Sequence, residues 1–404
     1  MNRKAIRKDS VRSKPVNWPC DYKNATPTMV FETKLEILPV GYAESSARKG
    51  EKVPISRFGF LSSGDGDTFI KRLEGFLQGL LNNIYNNNNV IISPSLIDNM
   101  LVIINDKKIA KIYINYINIK SIVRVKNIME KGSPVFSDDI LDIREVSIDV
   151  DIPKDQGFFF YFSVGWQKAI IYDFEPLWLS EKKIREYNIN SLFGSAFSYL
   201  MFQKRFTLSD IAWMNLLNQK WFLFCHLDNS IIDEIINHAD NKWDIDDLLE
   251  KISDNTKRLI KNTKLFGNNL NIFGDHIGLI NRAINDYEKD DFVSCISILY
   301  PRIEGILRSF YLNSGNENKI RQTRLIEAAV ANNDEHKKLY SLLMPERFKT
   351  YLESVYFADF CPGSKPEVSR HSIAHGEAKF ESFDKKSATI AILILYHIAL
   401  FIIK

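Results

Sequence analysis

Residues 157–172 read GFFFYFSVGWQKAIIY, and this stretch decides the fold of the first half of the chain. Two segments rich in Phe, Tyr and Ile, residue types that favour strands, flank Gly165-Trp166, a pair that suits a tight turn. We therefore predict two adjacent strands, at 157–164 and 167–172. The aromatic residues of 158–162 and Trp166 could stack on nucleic-acid bases. Aromatic residues in strands more often form core, however, and we expect core here.

Strand patterns also precede this pair. Alternating apolar runs predict strands at 100–105, 109–115, 119–126 and 143–150. Asn105-Asp106-Lys107-Lys108 suits a hairpin turn between the first two. A helix is expected at 67–83. Residues 1–60, rich in Pro, Lys and Ser, are predicted to be a partly ordered lead-in segment with one or two strands, and residues 61–175 a mostly antiparallel sheet domain and candidate sensor, which resembles no family that we recognise.

After residue 176 the pattern is helical. We predict a helical connecting region at 176–270 and a compact helical domain at 271–404, so the fold class is α+β. The predicted helices lie at 192–202, from 207, at 244–252, 256–270, 276–289, 291–312, 319–330, 334–343 and 345–357, and from a capping box at 364–367 to about 379. Pro301 should kink its helix. The apolar last helix, 387–403, is expected to be buried in a bundle or dimer rather than in a membrane.

Composition limits the functional classes. A net charge of +3 is too small for broad electrostatic capture of nucleic acid, so any contact with a polyanion must be local. The four cysteines, Cys20, Cys225, Cys295 and Cys361, are far apart in the sequence, which argues against a disulfide framework or a structural metal. No apolar segment follows the basic first 15 residues, so we expect a cytoplasmic protein. GxGxxG, P-loop, HExxH and GxSxG motifs do not occur in the sequence, and we expect no cofactor.

Residues 369–376, SRHSIAHG, point to a particular chemistry. On the predicted helix, His371 and His375 are four residues apart and share a face, whereas Arg370 and His375 are rotated by roughly 140°. One copy of the motif therefore converges poorly on a single atom. Two copies across a twofold axis would place two arginines and two histidines around one cleft, so we expect a dimeric site.

The C-terminal third of the chain resembles the HEPN family of small helical-bundle proteins, found in bacterial toxins and anti-phage defence. Arg370 and His375 match the family's Arg-x4-6-His pattern, His371 is polar as in many members, Gly376 follows, and 300–308 resembles the earlier core helix with an acidic residue, Glu304.

The resemblance implies metal-independent RNA cleavage to 2′,3′-cyclic phosphate and 5′-hydroxyl ends. His375 would be the acid/base residue, Arg370 would neutralise phosphate charge, and His371 would orient or contact the substrate. The protein would be a homodimeric toxin or abortive-infection effector, with RNA (tRNA is one candidate) as substrate and a phage-derived trigger or cognate regulator.

Several interpretations stay open. Glu304 could hydrogen-bond Arg370 or lie on the wet side of its helix. Lys319, Arg321 and Arg324 could hold RNA phosphates or form an ordinary solvated face. His375 could be a capping or packing histidine on a surface helix. The alternative function is a non-catalytic HEPN-like dimerisation or ligand-binding module in a sensor or regulatory protein.

Overall fold

The computed structural model describes residues 28–36, 38–88, 91–178, 184–262, 270–315, 321–331, 339–358 and 369–403. A mostly antiparallel β region is followed by many helices, which confirms the α+β class. The strands are β1 (Met29–Lys34), β2 (Tyr42–Ala43), β3 (Ile55–Ser56), β4 (Phe58–Ser62), β5 (Asn99–Ile104), β6 (Ile109–Ile114), β7 (Ile119–Val125), β8 (Ile140–Ile148), β9 (Gly157–Val164) and β10 (Gln167–Asp173).

The helices begin within the β region and continue to the end of the described chain. In chain order they are α1 (Asp67–Asn88), α2 (Glu175–Trp178), α3 (Ile189–Met201), α4 (Gln203–Phe206), α5 (Asp210–Asn218), α6 (Asn229–Asn241), α7 (Leu249–Asn262), α8 (Leu270–Glu288), α9 (Phe292–Asn313), α10 (Gln322–Ala331), α11 (Pro345–Tyr351), α12 (Arg370–Ala374) and α13 (Lys385–Ile402).

Among the described residues, six strands form one sheet in the order β1-β6-β5-β9-β10-β4, with every neighbouring pair antiparallel. Both predicted hairpins are present. At the β5–β6 turn the side-chain oxygen of Asn105 accepts hydrogen bonds from the N–H groups of Lys107 (3.0 Å) and Ile109 (2.9 Å). The two edge strands, β1 and β4, come from the first 62 residues, so part of the predicted lead-in belongs to the sheet.

Both faces of the sheet are covered. On β9, Phe158, Phe160 and Phe162 pack toward the C-terminal helices, while Phe159 and Tyr161 pack toward α1. Burial on both faces explains why this strand is apolar at nearly every position, and the expectation of core is confirmed for 158–162. For Trp166 it is wrong: this residue lies in the turn, beyond the covered faces, and is 83% exposed.

A two-stranded ribbon, β7–β8, connects the sheet region to the helices. Helix α3 packs closely on β8 because Gly194 has no side chain: a Cβ at this position would lie only 3.0 Å from the Cα of Glu145. One continuous hydrophobic cluster runs from Leu101 on β5 to Ile402 on α13. The sheet and the C-terminal helices therefore share a core.

Helix α13 is the centre of the helical half. It packs against α7, α9 and α10, and residues 388–402 are all buried. Arg124 of β7 donates hydrogen bonds to the carbonyls of Leu400 and Ile403, so a cation caps the helix C-terminus. By length and composition α13 could cross a membrane, but 83% of its span is buried inside the fold. This agrees with the expected buried helix.

Several predicted helix boundaries were wrong. The two helices predicted at 244–252 and 256–270 are not separate over the described residues: a 3-10 turn at Ile245–Leu248 continues into one helix, α7, which runs to Asn262, and 263–269 lie outside the described residues. The N-cap of α5 is Ser209 rather than a residue-207 capping box. In the predicted helix 334–343, the described part, 339–343, is not helical. There, the Ser341 hydroxyl and the Leu342 N–H both donate to the buried carboxylate of Asp142 on β8, which holds the chain in a turn.

Candidate functional site

Helix α12, which carries the Arg-x4-His motif, is short because both of its ends are capped. At the start, the Ser369 hydroxyl accepts from the N–H of Ser372 (3.2 Å), and the Ser372 hydroxyl accepts from the N–H of Ser369 (2.9 Å). The predicted cap at 364–367 lies outside the described residues.

A glycine ends α12. Gly376 has a φ of +71°, and the N–H of Glu377 donates to the carbonyl of Ser372 (2.8 Å), as in a Schellman motif. The predicted continuation to 379 was therefore wrong. The left-handed conformation of Gly376 turns the chain away directly after His375, the C-cap residue.

Glu304 of α9 holds the motif arginine in place. Its side chain is only 4% exposed, and Oε1 accepts from Nε (2.9 Å) and Nη2 (2.6 Å) of Arg308, while Oε2 contacts Nε of Arg370. The alternative that Glu304 lies on the solvent-exposed side of its helix was therefore wrong. Among the two arginines, Arg370 is the less exposed, at 25% against 44% for Arg308. One buried carboxylate thus joins α9 to α12 and orients two cations.

Tyr356 hydrogen-bonds the backbone of α9 at Glu304. Its hydroxyl accepts from the N–H of Glu304 (3.1 Å) and donates to the carbonyl of Tyr300, two groups that a regular α-helix would pair directly. Burial and the nearby Glu304 carboxylate raise the pKa of Tyr356 well above its usual value, so the hydroxyl stays protonated. A π-helical turn at Leu352–Tyr356 extends α11 and places the ring here.

The rings of His371, within α12, and His375, its C-cap residue, lie against each other. The ring centres are 6.0 Å apart, and the two rings are nearly parallel, with 13° between their planes. Nε2 of His371 lies 3.2 Å from Oε1 of Gln322 on α10, which links α12 to a second helix. His375, the C-cap residue, is exposed.

The predicted basic cluster is described in part. Arg321 and Arg324 are exposed, at the start of α10 and next to Gln322, and Lys319 lies outside the described residues. Sequence reasoning missed Arg308, although its spacing of four residues from Glu304 on one helix was a usable signal. It also missed Tyr356, for which the sequence carries no signal.

Within the described ranges, no group of three or more His, Cys, Asp or Glu side chains is arranged to hold a metal ion. Cys225 and Cys295 are buried free thiols. Comparisons with protein-family models, curated proteins and solved structures found no match to this chain.

Proposed function

We propose that this protein is a metal-independent endoribonuclease of the HEPN type that acts in the cytoplasm as a regulated toxin or abortive-infection effector. One observation supports this most directly. The short helix α12 carries Arg370, which contacts the buried Glu304 of α9, and its end carries the stacked rings of His371 and His375. Phosphodiester cleavage needs a positioned cation and an accessible imidazole, and this short helix carries both types of side chain.

The proposed reaction needs one proton acceptor, one proton donor and one cation. The imidazole of His375 takes the proton from a ribose 2′-hydroxyl, and the 2′-oxygen attacks the adjacent phosphorus. The bond from phosphorus to the 5′-oxygen breaks, and a protonated imidazole gives that oxygen its proton. Arg370 neutralises the charge on the phosphate oxygens. The products are a 2′,3′-cyclic phosphate and a 5′-hydroxyl.

A homodimer through the C-terminal helices completes the proposed site. Arg370 faces Glu304 on α9, and His375 is exposed. On an ideal helix, residues five apart are rotated by roughly 140°, so one chain should converge poorly. A twofold axis beside α12 would bring a second imidazole and a second guanidinium to the same cleft. Arg321 and Arg324 then extend the cationic surface available to the RNA backbone.

Regulation is part of the proposal because an unrestrained ribonuclease would damage its own cell. The hydrophobic core that joins the sheet to the C-terminal helices supports a coupling between the two. In this scheme, a phage-derived trigger or a cognate regulator acts on the sheet region.

The second candidate function is a non-catalytic HEPN-like dimerisation or ligand-binding module. The Arg370–Glu304 ion pair also fits this second function, because a contact from Nε of Arg370 to Glu304 could serve only to link α12 to α9. The two functions differ in whether His375 is needed for any activity.

Purified protein incubated with total RNA and tRNA in excess EDTA tests the proposal. We expect fragments with cyclic phosphate ends, and no cutting by His375→Ala, whose unfolding free energy should stay within about 0.5 kcal/mol of the wild type because the position is exposed. Lys379→Ala, exposed on the following loop, is the control and should cut normally. Undiminished cutting by His375→Ala would refute the assigned site, and cutting that requires added magnesium would place the active site elsewhere in the chain.

A further inference from the structure

A second concave site lies far along the sequence from α12, where the β9–β10 turn meets α4 and the start of α6. The pocket has a volume of about 470 Å³ and is lined by side chains that include Trp166, Gln167, Gln203, Lys204 and Arg205. This volume falls in the range of small-molecule sites. None of these residues belongs to the proposed ribonuclease site.

The wall of this pocket contains a buried arginine, Arg205, that forms no ion pair with the described residues. Arg205 is 4% exposed, its Nη2 donates to the side-chain oxygen of Asn229, and its guanidinium lies over the ring of Phe202 at 5.0 Å from the ring centre. Within the described part of the chain, Nη1 has no hydrogen-bond partner and Arg205 has no ion pair.

The acidic residues that influence Arg205 are engaged elsewhere. Asp138 accepts from the N–H of Asn229 (2.7 Å), and Asp233 pairs with Lys204 (2.9 Å). Burial lowers the pKa of Arg205 to about 10, so the side chain is still a cation at neutral pH. The charges of Asp138 and Asp233 stabilise this cation from a distance, but neither carboxylate pairs with the guanidinium directly, so an anion in the pocket could still bind it.

Two further side chains of the pocket, those of Gln167 and Trp166, indicate which other ligand groups it could bind. Gln167 donates through Nε2 to Gln203 (2.8 Å), while its Oε1 is buried and, among the described residues, has no donor. Trp166 projects from the turn with 83% of its surface exposed, which offers a flat apolar platform. The pocket thus combines a cation, a free acceptor and a stacking surface.

We propose that this pocket binds a nucleotide: the phosphate contacts Arg205, an N–H or O–H group of the ligand donates to Gln167, and the base stacks on Trp166. The same chemistry is present in a free mononucleotide and at the 5′-phosphate end of an RNA. Stacking of a base on an aromatic side chain together with a phosphate–guanidinium contact is a recurrent mode of nucleotide binding.

Calorimetric and tryptophan-fluorescence titrations test this on the full-length chain in the His375→Ala background, where the proposed nuclease cannot consume an RNA probe. The probes are AMP, adenosine, inorganic phosphate and a short RNA with or without a 5′-phosphate. We expect one AMP per chain, weaker binding of adenosine, and competition by phosphate. Tighter binding of the phosphorylated RNA than of AMP would identify an RNA end as the source.

The variants separate binding from folding. Trp166→Ala should raise the Kd for AMP about 10-fold or more, whereas the control Trp243→Ala, a half-exposed tryptophan outside the pocket, should leave it unchanged. Arg205→Met should abolish phosphate competition and unfold at the same or a higher urea concentration than the parent, because it removes a buried unpaired charge. If Arg205→Met does not fold, the Trp166→Ala titration decides. No AMP or RNA binding by the parent chain, or unchanged binding by Trp166→Ala, would overturn the proposal, whatever the result of the cleavage assay.

Discussion

Replacing Glu304 by Gln removes the buried negative charge that joins α9 to α12 while keeping the shape of the side chain. The carboxylate accepts two hydrogen bonds from Arg308 and contacts Arg370, and the substitution would leave both cations facing a neutral amide. The change therefore isolates the electrostatic part of the link.

The expected loss follows from the exposure of the partners. Breaking a fully buried ion pair costs roughly 3–5 kcal/mol, whereas an exposed i,i+4 pair contributes only about 0.3–0.5 kcal/mol. Arg308 is 44% exposed and Arg370 25%, so water compensates for part of the loss at both. We expect the unfolding free energy to fall by about 2 kcal/mol, mostly through Arg370.

Urea unfolding followed by circular dichroism measures the effect, and Glu234→Gln is the matched control. Glu234 pairs with Lys251 at 2.6 Å, but it is 41% exposed, so its loss should cost below about 0.5 kcal/mol. A double-mutant cycle with Arg370→Ala should show a coupling of ~1–2 kcal/mol. If Glu304→Gln were as stable as the control, or if the two changes were additive, the carboxylate would not be holding the motif arginine. Under the proposed function, Glu304→Gln should also cut RNA more slowly.

Other expectations concern the cap, the buried ionisable groups and the dimer. Gly376→Ala should lower the unfolding free energy by roughly 1–2 kcal/mol, since alanine resists a positive φ, and an unchanged urea midpoint would contradict this. Burial lowers the pKa of His226 to about 3 and of His397 to about 4, while the unfolded chain takes up these protons near pH 6.5. Stability should therefore be level above about pH 6.5 and decline as the pH falls toward 4, a slope that a urea series at several pH values would reveal. Burial raises the pKa of the Cys225 and Cys295 thiols to about 12, so thiol reagents at pH 8 should label them only at the rate of unfolding; rapid labelling of native protein would count against their placement. Cleavage per chain should fall on dilution below the dimer dissociation constant, and full activity of a monomer by light scattering would exclude the dimeric site.

Much of the architecture was predictable because its causes are local. The paired strands 157–164 and 167–172 follow from aromatic and β-branched residues around a two-residue turn, and α9 begins where Asp291 caps it. The motif residues Arg370, His371 and His375 come from the resemblance to the HEPN family, and their role is still a prediction. Their helix was overestimated because Gly376 was taken as part of the motif, while its positive φ makes it the residue that ends the helix.

The sequence by itself determined most of the strands and helices and their apolar faces, because periodicity and capping act between residues a few positions apart. Only the tertiary structure decided that β1 and β4 close the edges of the sheet, that the exposed Trp166 and the buried Arg205 line one pocket, and that Glu304 meets Arg370 rather than water. These depend on which distant segments pack together. A carboxylate on a helix has the same local sequence whether its neighbour is solvent or a guanidinium, and the burial that separates the two outcomes arises only when the whole core assembles.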